Sequence, residues 1–379
     1  MTELPPIRLL PVVDAHHLWV ALLLESVPPL DPDQLGRLFG EFGLFDALGT
    51  LSCIVDLPGP PHGDDIEALV PAEQIVLRIP AADCLAGDCA AAGRLRSAGF
   101  HLMADGLPPA GGRLCPEIEA LALACGESLP AGEVPARRLA LSVDTQQWFD
   151  ACRQADFHWF AGEYPLHPAD VRPAGGAARH ALLLQLLTLI GREAESRELE
   201  ELIKQDAHLS YQLLRLVNSV AFSLSQKITS FGQAITILGR RQLQRWLQLL
   251  LYARPEGEGR SPLLPRAAAR AAVMEALFAG RPREFQDRAF MAGMFSLLDA
   301  LTGQDLATVV APLNLDDDIV KALLQRSGPL GPALEAVKAG ERPGQPLGGT
   351  LERADITTAA WAKALVRGYR WAIQVALAA

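Results

Sequence analysis

Hydrophobic residues are grouped differently in the two halves of the chain. In the first half, apolar runs of strand length recur: IRLLPVVD, WVALLLE, LSCIVDL, QIVLRIP, FHLMAD, RLALSVD and FHWFAGEYPL. Amphipathic stretches with helical spacing separate several of them, at Asp31–Leu48, Cys84–Ala98 and Gln146–Ala155. Strands that alternate with helices indicate parallel β/α units, so we predict an α/β domain over residues 1–170.

The second half has helical periodicity and no convincing strand. Further helices are predicted at Ala267–Ala279, Phe285–Leu301, Asp317–Gln325, Pro332–Ala339 and Asp355–Leu377. Before this half, residues 171–179 read VRPAGGAAR, and the proline with two adjacent glycines is typical of a linker. We therefore predict two domains, joined by a linker at 171–179, with an all-α domain over 180–379.

The stretch from Leu216 to Trp246 contains no acidic residue and is patterned as helix, turn and helix. Ser230 has the position of a helix N-cap, and Gly239 suits the end of that helix. Arg240 and Arg241 then open a second helix, as in a DNA-reading helix-turn-helix. Because this second helix is almost wholly apolar after Trp246, it lacks the polar face that a recognition helix needs. We interpret the stretch as a packing and interaction module.

Composition narrows the function classes. The 379 residues carry a formal charge of -10, which argues against nonspecific nucleic-acid binding as the main task. No basic segment followed by a long apolar run opens the chain, and no run approaches the ~20 residues of a membrane span, so we expect a soluble, cytoplasmic protein without a membrane partner. The six cysteines form no CxxC pair and are expected to be reduced and mostly buried, with no metal.

The segment Leu202–Leu249 closely resembles the HDOD domain, a bacterial signalling module related to the HD phosphohydrolases. Where those hydrolases carry a metal-binding His-Asp doublet, this chain has Ser296 and Leu297, and its last histidine is His208. A half without further histidines cannot supply the ligands of a hydrolytic metal centre, so we expect neither metal nor cofactor there. The residues that carry the resemblance, and that we assign to the motif or to interaction, are Asp206, Leu209, Asn218, Ser219, Ser230, Gly239, Arg240, Arg241 and Trp246.

The first half resembles a degenerate EAL domain, the fold of cyclic-di-GMP phosphodiesterases, in incomplete or compressed form. The resemblance places Val20-Ala21-Leu22 where that family has Glu-Ala-Leu, and gives no counterpart of its lysine-bearing strand. Arg78 and Asp56 replace a metal-binding glutamate and asparagine. Because so few ligand positions match, we predict that the chain is not an enzyme. Further along, the resemblance keeps one aspartate at Asp105 but has Gly106 in place of the next. It aligns Asp144-Thr145 with a late Glu-Thr segment and has Ala161 in place of a glutamine.

Three functions follow from these resemblances. The leading one is a non-catalytic signalling adaptor that binds a protein partner, with self-association or interdomain docking as further contacts. The alternative is a cyclic-dinucleotide receptor that binds ligand without hydrolysis in the barrel mouth through Arg78 and Asp105. The third is a DNA-binding regulator that uses Arg240 and Arg241 of the 216–246 stretch, against which the apolar second helix argues. The resemblance implies control of motility, biofilm formation or virulence.

Overall fold

The computed structural model describes residues 4–57, 72–87, 89–110, 112–124, 137–167, 177–192, 194–203, 206, 231–254, 259–313 and 315–378. Eight strands close into one barrel in chain order. The first two form an antiparallel hairpin, and each later strand runs parallel to the one before it. The strands are β1 (Ile7–Val13), β2 (Trp19–Ser26), β3 (Ser52–Asp56), β4 (Ile75–Pro80), β5 (His101–Asp105), β6 (Ala120–Ala124), β7 (Arg137–Leu141) and β8 (Trp159–Phe160).

The barrel interior is filled by alternate residues of the strands. Leu10 of β1 pairs with Leu23 of β2, and both belong to a cluster that includes Ile54, Met103 and Ala122. Their sequence neighbours belong to a second, larger cluster on the outer face. The side chains on both faces of β1 and β2 are therefore buried, which explains why these segments are continuous apolar runs in the sequence.

The connections between the strands are short. After β2 come α1 (Pro32–Phe39), begun by a capping box between Asp31 and Gln34, and α2 (Leu44–Leu48). The helix α3 (Ala90–Ser97) follows β4, and α4 (Gln146–Gln154), capped by Thr145, follows β7. The sequence pattern missed β6, whose residues ALALA carry no strand-favouring branched or aromatic side chain. The alternative of an incomplete barrel is thus wrong, because the sheet keeps all eight strands and only the connections are compressed.

The rest of the chain is helical wherever the structure describes it. The first helix begins at Ala177, inside the predicted linker. Gly239 interrupts α7 with a positive φ of 72°, where the sequence predicts a helix end. The helices are α5 (Ala177–Gly191), α6 (Ser196–Ile203), α7 (Phe231–Tyr252), α8 (Leu263–Leu277), α9 (Arg283–Phe295), α10 (Leu298–Thr302), α11 (Leu306–Val310), α12 (Asp317–Val320), α13 (Gly331–Gly340), α14 (Gly348–Arg353) and α15 (Thr358–Ala378), with a π-helical turn at Lys321–Gln325.

The helix α8 is the centre of the helical domain and packs against both α9 and α15. Two glycines permit this close approach. A Cβ added at Gly293 of α9 would lie 2.7 Å from the Arg270 carbonyl oxygen, and one added at Gly368 of α15 would lie 2.5 Å from a Val273 methyl carbon. Helix backbones meet here at distances that a larger side chain would prevent.

The helical domain covers the outer face of the β1–β2 hairpin, which has no helix of its own. Trp361 of α15 is fully buried, and its indole Nε1 donates a 2.8 Å hydrogen bond to the Ile7 carbonyl oxygen of β1. Trp19 of β2 meets Tyr369 with ring centroids 5.9 Å apart. Residues of both domains belong to one continuous apolar cluster, so the two domains form one packed body.

Cys89 at the start of α3 and Cys115 before β6 form a disulfide. The expectation of reduced cysteines is therefore wrong for this pair, whereas Cys53, Cys84 and Cys152 are buried thiols outside any disulfide, and Cys125 lies outside the described residues. The pairing could not be read from spacing because the two loops meet only in the fold, where Leu85 and Leu114 form a β-bridge. Among the described helices, none is long and apolar enough to cross a membrane.

Candidate functional site at the barrel mouth

Five charged side chains occupy one end of the barrel, contributed by five successive strands. Arg8 on β1 and Glu25 on β2 are each two residues from an interior residue, Leu10 or Leu23. Because side chains alternate along a strand, both lie on the inner side of the sheet. Arg8 stands opposite Glu25 in the strand register, and Asp56 stands opposite Arg78. The parallel strands end here, and this edge is where α/β barrels carry their functional residues. The charged ring comprises Arg8, Glu25, Asp56, Arg78 and Asp105.

Arg78 joins two of the carboxylates in this ring. Its Nε and Nη2 donate hydrogen bonds of 2.6 and 2.7 Å to the two carboxylate oxygens of Asp56. Its Nη1 lies 3.5 Å from Asp105 Oδ1. Burial alone would lower the pKa of Arg78, but the hydrogen bond and charge of Asp56, together with Asp105, raise it. The structure thus brings Asp56, Arg78 and Asp105 together as a bridged ion-pair cluster.

Two carboxylates of the ring, Glu25 and Asp105, are less well compensated than Asp56. Burial raises the pKa of Glu25, and the charge of Asp56 adds to the effect, while Arg8 and Arg78 oppose it. Burial also raises the pKa of Asp105, against the opposing charge of Arg78. Arg8 is 3% exposed and donates to the Gln345 carbonyl oxygen of the helical domain.

The helical domain closes over this ring and leaves a chamber of about 280 Å³. Arg266 of α8 lines the chamber from the side of the helical domain and is 6% exposed. Its Nη2 donates a hydrogen bond to the Gly162 carbonyl oxygen at 2.8 Å. Glu341, which follows α13, lines the same chamber. Both domains therefore contribute charged side chains to one site.

Glu341 also connects the chamber to the core of the helical domain. It accepts hydrogen bonds from Arg270, one turn along α8 from Arg266, with Nε to Oε1 at 2.9 Å. The Nη2 of Arg270 donates to the second carboxylate oxygen of Glu341, and its Nη1 donates to Ser296 Oγ at 2.8 Å. Arg270 and Glu341 are 3% and 8% exposed in their side chains. A change at the chamber thus has a short path into the helical domain.

The described residues assigned to the HDOD motif do not line the chamber at the barrel mouth. Arg241 binds Asp287 through Nη2 at 2.5 Å, and Trp246 is 5% exposed in the helical core. Arg240 and Asp206 are both partly buried. Leu209, Asn218, Ser219 and Ser230 fall outside the described residues.

The late barrel positions have structural contacts. Asp144 Oδ1 accepts the Glu163 amide at 3.2 Å, and Thr145 caps α4. Ala161 lies in the barrel interior. These positions hold the β7–β8 end of the mouth in shape.

Sequence reasoning found Arg78 and Asp105 but missed Glu25, Arg266 and Glu341. The first could have been found by continuing the alternation Ala21, Leu23, Glu25 to the end of β2. The motif comparison instead fixed attention on Val20-Ala21-Leu22, and Val20 packs against the inner cluster without lining the chamber. The other two are far along the chain, Arg266 in α8 and Glu341 just after α13, and only the packing of the helical domain against the barrel brings them to the mouth.

A pair of catalytic metals, as the EAL resemblance implies, does not fit the charged ring in this arrangement. The Arg78 guanidinium already bridges Asp56 and Asp105, and a cation placed between them would be repelled at close range. Within the described ranges, the group of three potential ligands whose atoms converge is Cys89, Cys115 and Glu117, and its two sulfurs are bonded to each other.

The fold and the site define a two-domain protein with an α/β barrel joined to a helical domain over the barrel mouth. The family model of the HDOD domain matches residues 181–306, so this part of the chain is an HDOD domain. The eight-stranded barrel before it resembles the EAL fold, so the chain has an EAL-like barrel followed by an HDOD domain.

Curated relatives come from two bacteria. The cyclic di-GMP phosphodiesterase CdgJ of Vibrio cholerae is 31% identical over 208 residues, which cover 54% of this chain and 48% of that protein. The uncharacterized protein YuxH of Bacillus subtilis is 30% identical over 204 residues, 53% of this chain and 50% of that protein. The match spans about half of each relative. Among solved structures, the EAL-like domain protein YdiV aligns with a TM-score of 0.29 and 12% identity over 42% of this chain and 89% of its own.

The comparison with CdgJ contradicts the prediction that this chain is not an enzyme. A relative with 31% identity is named a phosphodiesterase, so missing matches at inferred motif positions do not establish that catalysis has been lost. A carboxylate, Glu25, does stand on β2 at the mouth, two residues beyond the interior position Leu23.

Proposed function

We propose that this protein is a regulatory component of cyclic-di-GMP-type signalling, in which the barrel mouth receives the signal and the HDOD domain acts on a protein partner. One observation carries the proposal: side chains of both domains line the same chamber. A signal protein needs a physical link between the input site and the output surface, and here the link is direct contact.

The link runs through α8. Arg266 touches the barrel at Gly162, and Arg270 on the next turn holds Glu341 and Ser296. A ligand that moved Arg266 or Glu341 would therefore shift the helix against which α9 and α15 pack. The extensive apolar contact between the domains favours a small rearrangement within one body over release of the HDOD domain.

In-cell photocrosslinking tests the proposed output. A photoreactive amino acid would replace Arg240, in the stretch assigned to interaction, or, as the matched control, the exposed Arg153 on the barrel surface. We expect a discrete protein adduct from the Arg240 site only, with a yield that changes when Arg78→Ala disrupts the mouth. Equal adducts from both sites, or a yield indifferent to Arg78→Ala, would refute the proposal.

The second candidate function is binding of a cyclic dinucleotide at the mouth, favoured by two arginines, Arg78 and Arg266, that line one chamber. The chamber of about 280 Å³ lies just below the usual range for ligand pockets, so such a ligand would have to widen it. Calorimetric titration with cyclic di-GMP, with and without Mg²⁺ or Mn²⁺, would measure binding. Chromatography of the same mixtures would show whether the nucleotide is linearised.

The DNA-binding alternative draws less support from the geometry. Arg241 and Arg245 both bind Asp287 and Glu275 of the same domain, so they are engaged internally. Leu243, Trp246 and Leu247 of this helix are buried. Duplex binding that weakens with salt and is lost on substitution of Arg240 and Arg241 would restore it.

A further inference from the structure

Arg266 combines deep burial with incomplete hydrogen bonding. The residue is 6% exposed, and its Nη2 donates to the Gly162 carbonyl oxygen at 2.8 Å. Its Nη1 is buried and has no hydrogen-bond partner among the residues that the structure describes. Buried donors are almost always bonded in folded proteins, and a charged donor is the most costly to leave without an acceptor.

The guanidinium of Arg266 also has no carboxylate bound to it within the described residues. Glu341 lies in the same chamber, but both of its carboxylate oxygens accept from Arg270. Asp56 is occupied in the same way by Arg78. Within the described parts of the chain, no carboxylate forms an ion pair with Arg266, so its guanidinium is the chamber's available cation.

We propose that Arg266 binds a phosphate group of a ligand held in the chamber between the two domains, so that the HDOD domain supplies a binding residue to the barrel mouth. A guanidinium offers two parallel donors that match two phosphate oxygens. Arg266 lies in the first turn of α8, where the helix dipole also favours an anion. The inference rests on the proposed function only in using the same chamber.

The other lining groups narrow the ligand to a phosphate ester with hydroxyl or amine groups. Glu25 and Asp105 face the chamber and accept hydrogen bonds when ionised. These two carboxylates, when ionised, would repel an anionic ligand that has no hydrogen-bond donor. A phosphate ester turns its anionic oxygens to Arg266 and its organic donors to these carboxylates. The volume of about 280 Å³ accommodates a phosphate with a small organic part.

Titration calorimetry of the full-length protein with inorganic phosphate and with glycerol 3-phosphate, at constant ionic strength, tests the inference. The variants are Arg266→Gln, Arg266→Lys, and Arg283→Gln as the control, because Arg283 is an exposed arginine at the start of α9. Thermal melting of every variant checks that the fold is intact. If Arg266→Gln does not fold, Arg266→Lys, which keeps the charge but loses the fork, takes its place.

We expect both probes to bind the wild-type and control proteins, with glycerol 3-phosphate the tighter. Binding should weaken at least about tenfold in Arg266→Gln, as for loss of a charged hydrogen bond, and less in Arg266→Lys. Failure of both probes to bind the wild type, or equal affinity in folded Arg266 variants, would overturn the inference. Neither result depends on the crosslinking of the HDOD domain, so the proposed function can stand or fall separately.

Discussion

Removal of the charge of Glu341 should destabilise the protein more than removal of the whole ion pair. Arg270 and Glu341 are joined by two hydrogen bonds inside the helical domain. Burial alone would lower the pKa of Arg270, but Glu341 raises it, so the guanidinium stays charged. Glu341→Gln would leave this charge without its counterion, held only by Ser296 and the neutral amide.

The burial of the Arg270–Glu341 ion pair determines how much stability each variant should lose. Breaking one side of a buried ion pair typically costs 3–5 kcal/mol, because the remaining charge is uncompensated, so we expect about 3–5 kcal/mol for Glu341→Gln. The double variant Arg270→Met/Glu341→Leu keeps similar volumes and buries no charge, so it should recover most of that loss. Its coupling free energy should be at least about 2 kcal/mol.

Urea unfolding of the wild type, Arg270→Met, Glu341→Leu and their double variant, with Glu341→Gln measured alongside, supplies the free energies when followed by tryptophan fluorescence and far-ultraviolet circular dichroism. Lys338→Gln, at a partly exposed position of α13, serves as the surface control and should change stability little. If Glu341→Gln were as stable as the wild type, or the double variant were less stable than either single one, the pair would not behave as a buried ion pair.

Further predictions concern other parts of the same body. Burial, followed by the charge of Arg254, lowers the pKa of His17 from 6.5 to about 4, so its contribution to stability is complete above pH 6.5 and is lost as the pH falls towards 4. Between about pH 7 and pH 4.5, the free energy of unfolding of His17→Gln should therefore fall by roughly 2–3 kcal/mol less than that of the wild type, as measured by denaturant unfolding. Trp361→Phe should cost about 1–3 kcal/mol and speed hydrogen exchange in β1, because the Ile7 carbonyl loses its donor; unchanged exchange would contradict the interdomain contact. Cys115→Ser should lower stability by about 3 kcal/mol under oxidising conditions and by far less with a reductant present, as expected for a loop of this length; equal losses would argue against the crosslink.

Local patterns in the sequence were sufficient for most of the architecture. Apolar runs of strand length identified seven of the strands, and β6 was missed because its alanines and leucines favour helices as well. The helix at Asp31–Leu48 is split because Gly40 and Gly43 lie inside it. The second half is helical as predicted, but the predicted helix Phe285–Leu301 breaks after Phe295, and the short helices Leu306–Val310 and Gly348–Arg353 were not predicted.

The site was only partly predictable, for a physical reason. Arg78 and Asp105 are on strands that end together, so a barrel pattern brings them into one ring. Arg266 and Glu341 reach that ring because α15 covers the outer face of β1 and β2, a long-range contact that no local pattern encodes. The failed prediction about catalysis arose at the same level, since motif letters were compared without knowledge of which residues face inward.

Small-angle X-ray scattering of the protein in solution tests the central claim most directly, namely that barrel and HDOD domain form one body closed over the mouth. A compact body of 379 residues should have a radius of gyration of about 21 Å and a single-peaked distance distribution. A clearly larger radius with a shoulder at long distances would mean that the domains separate in solution. The shared chamber and everything inferred from it would then be contradicted.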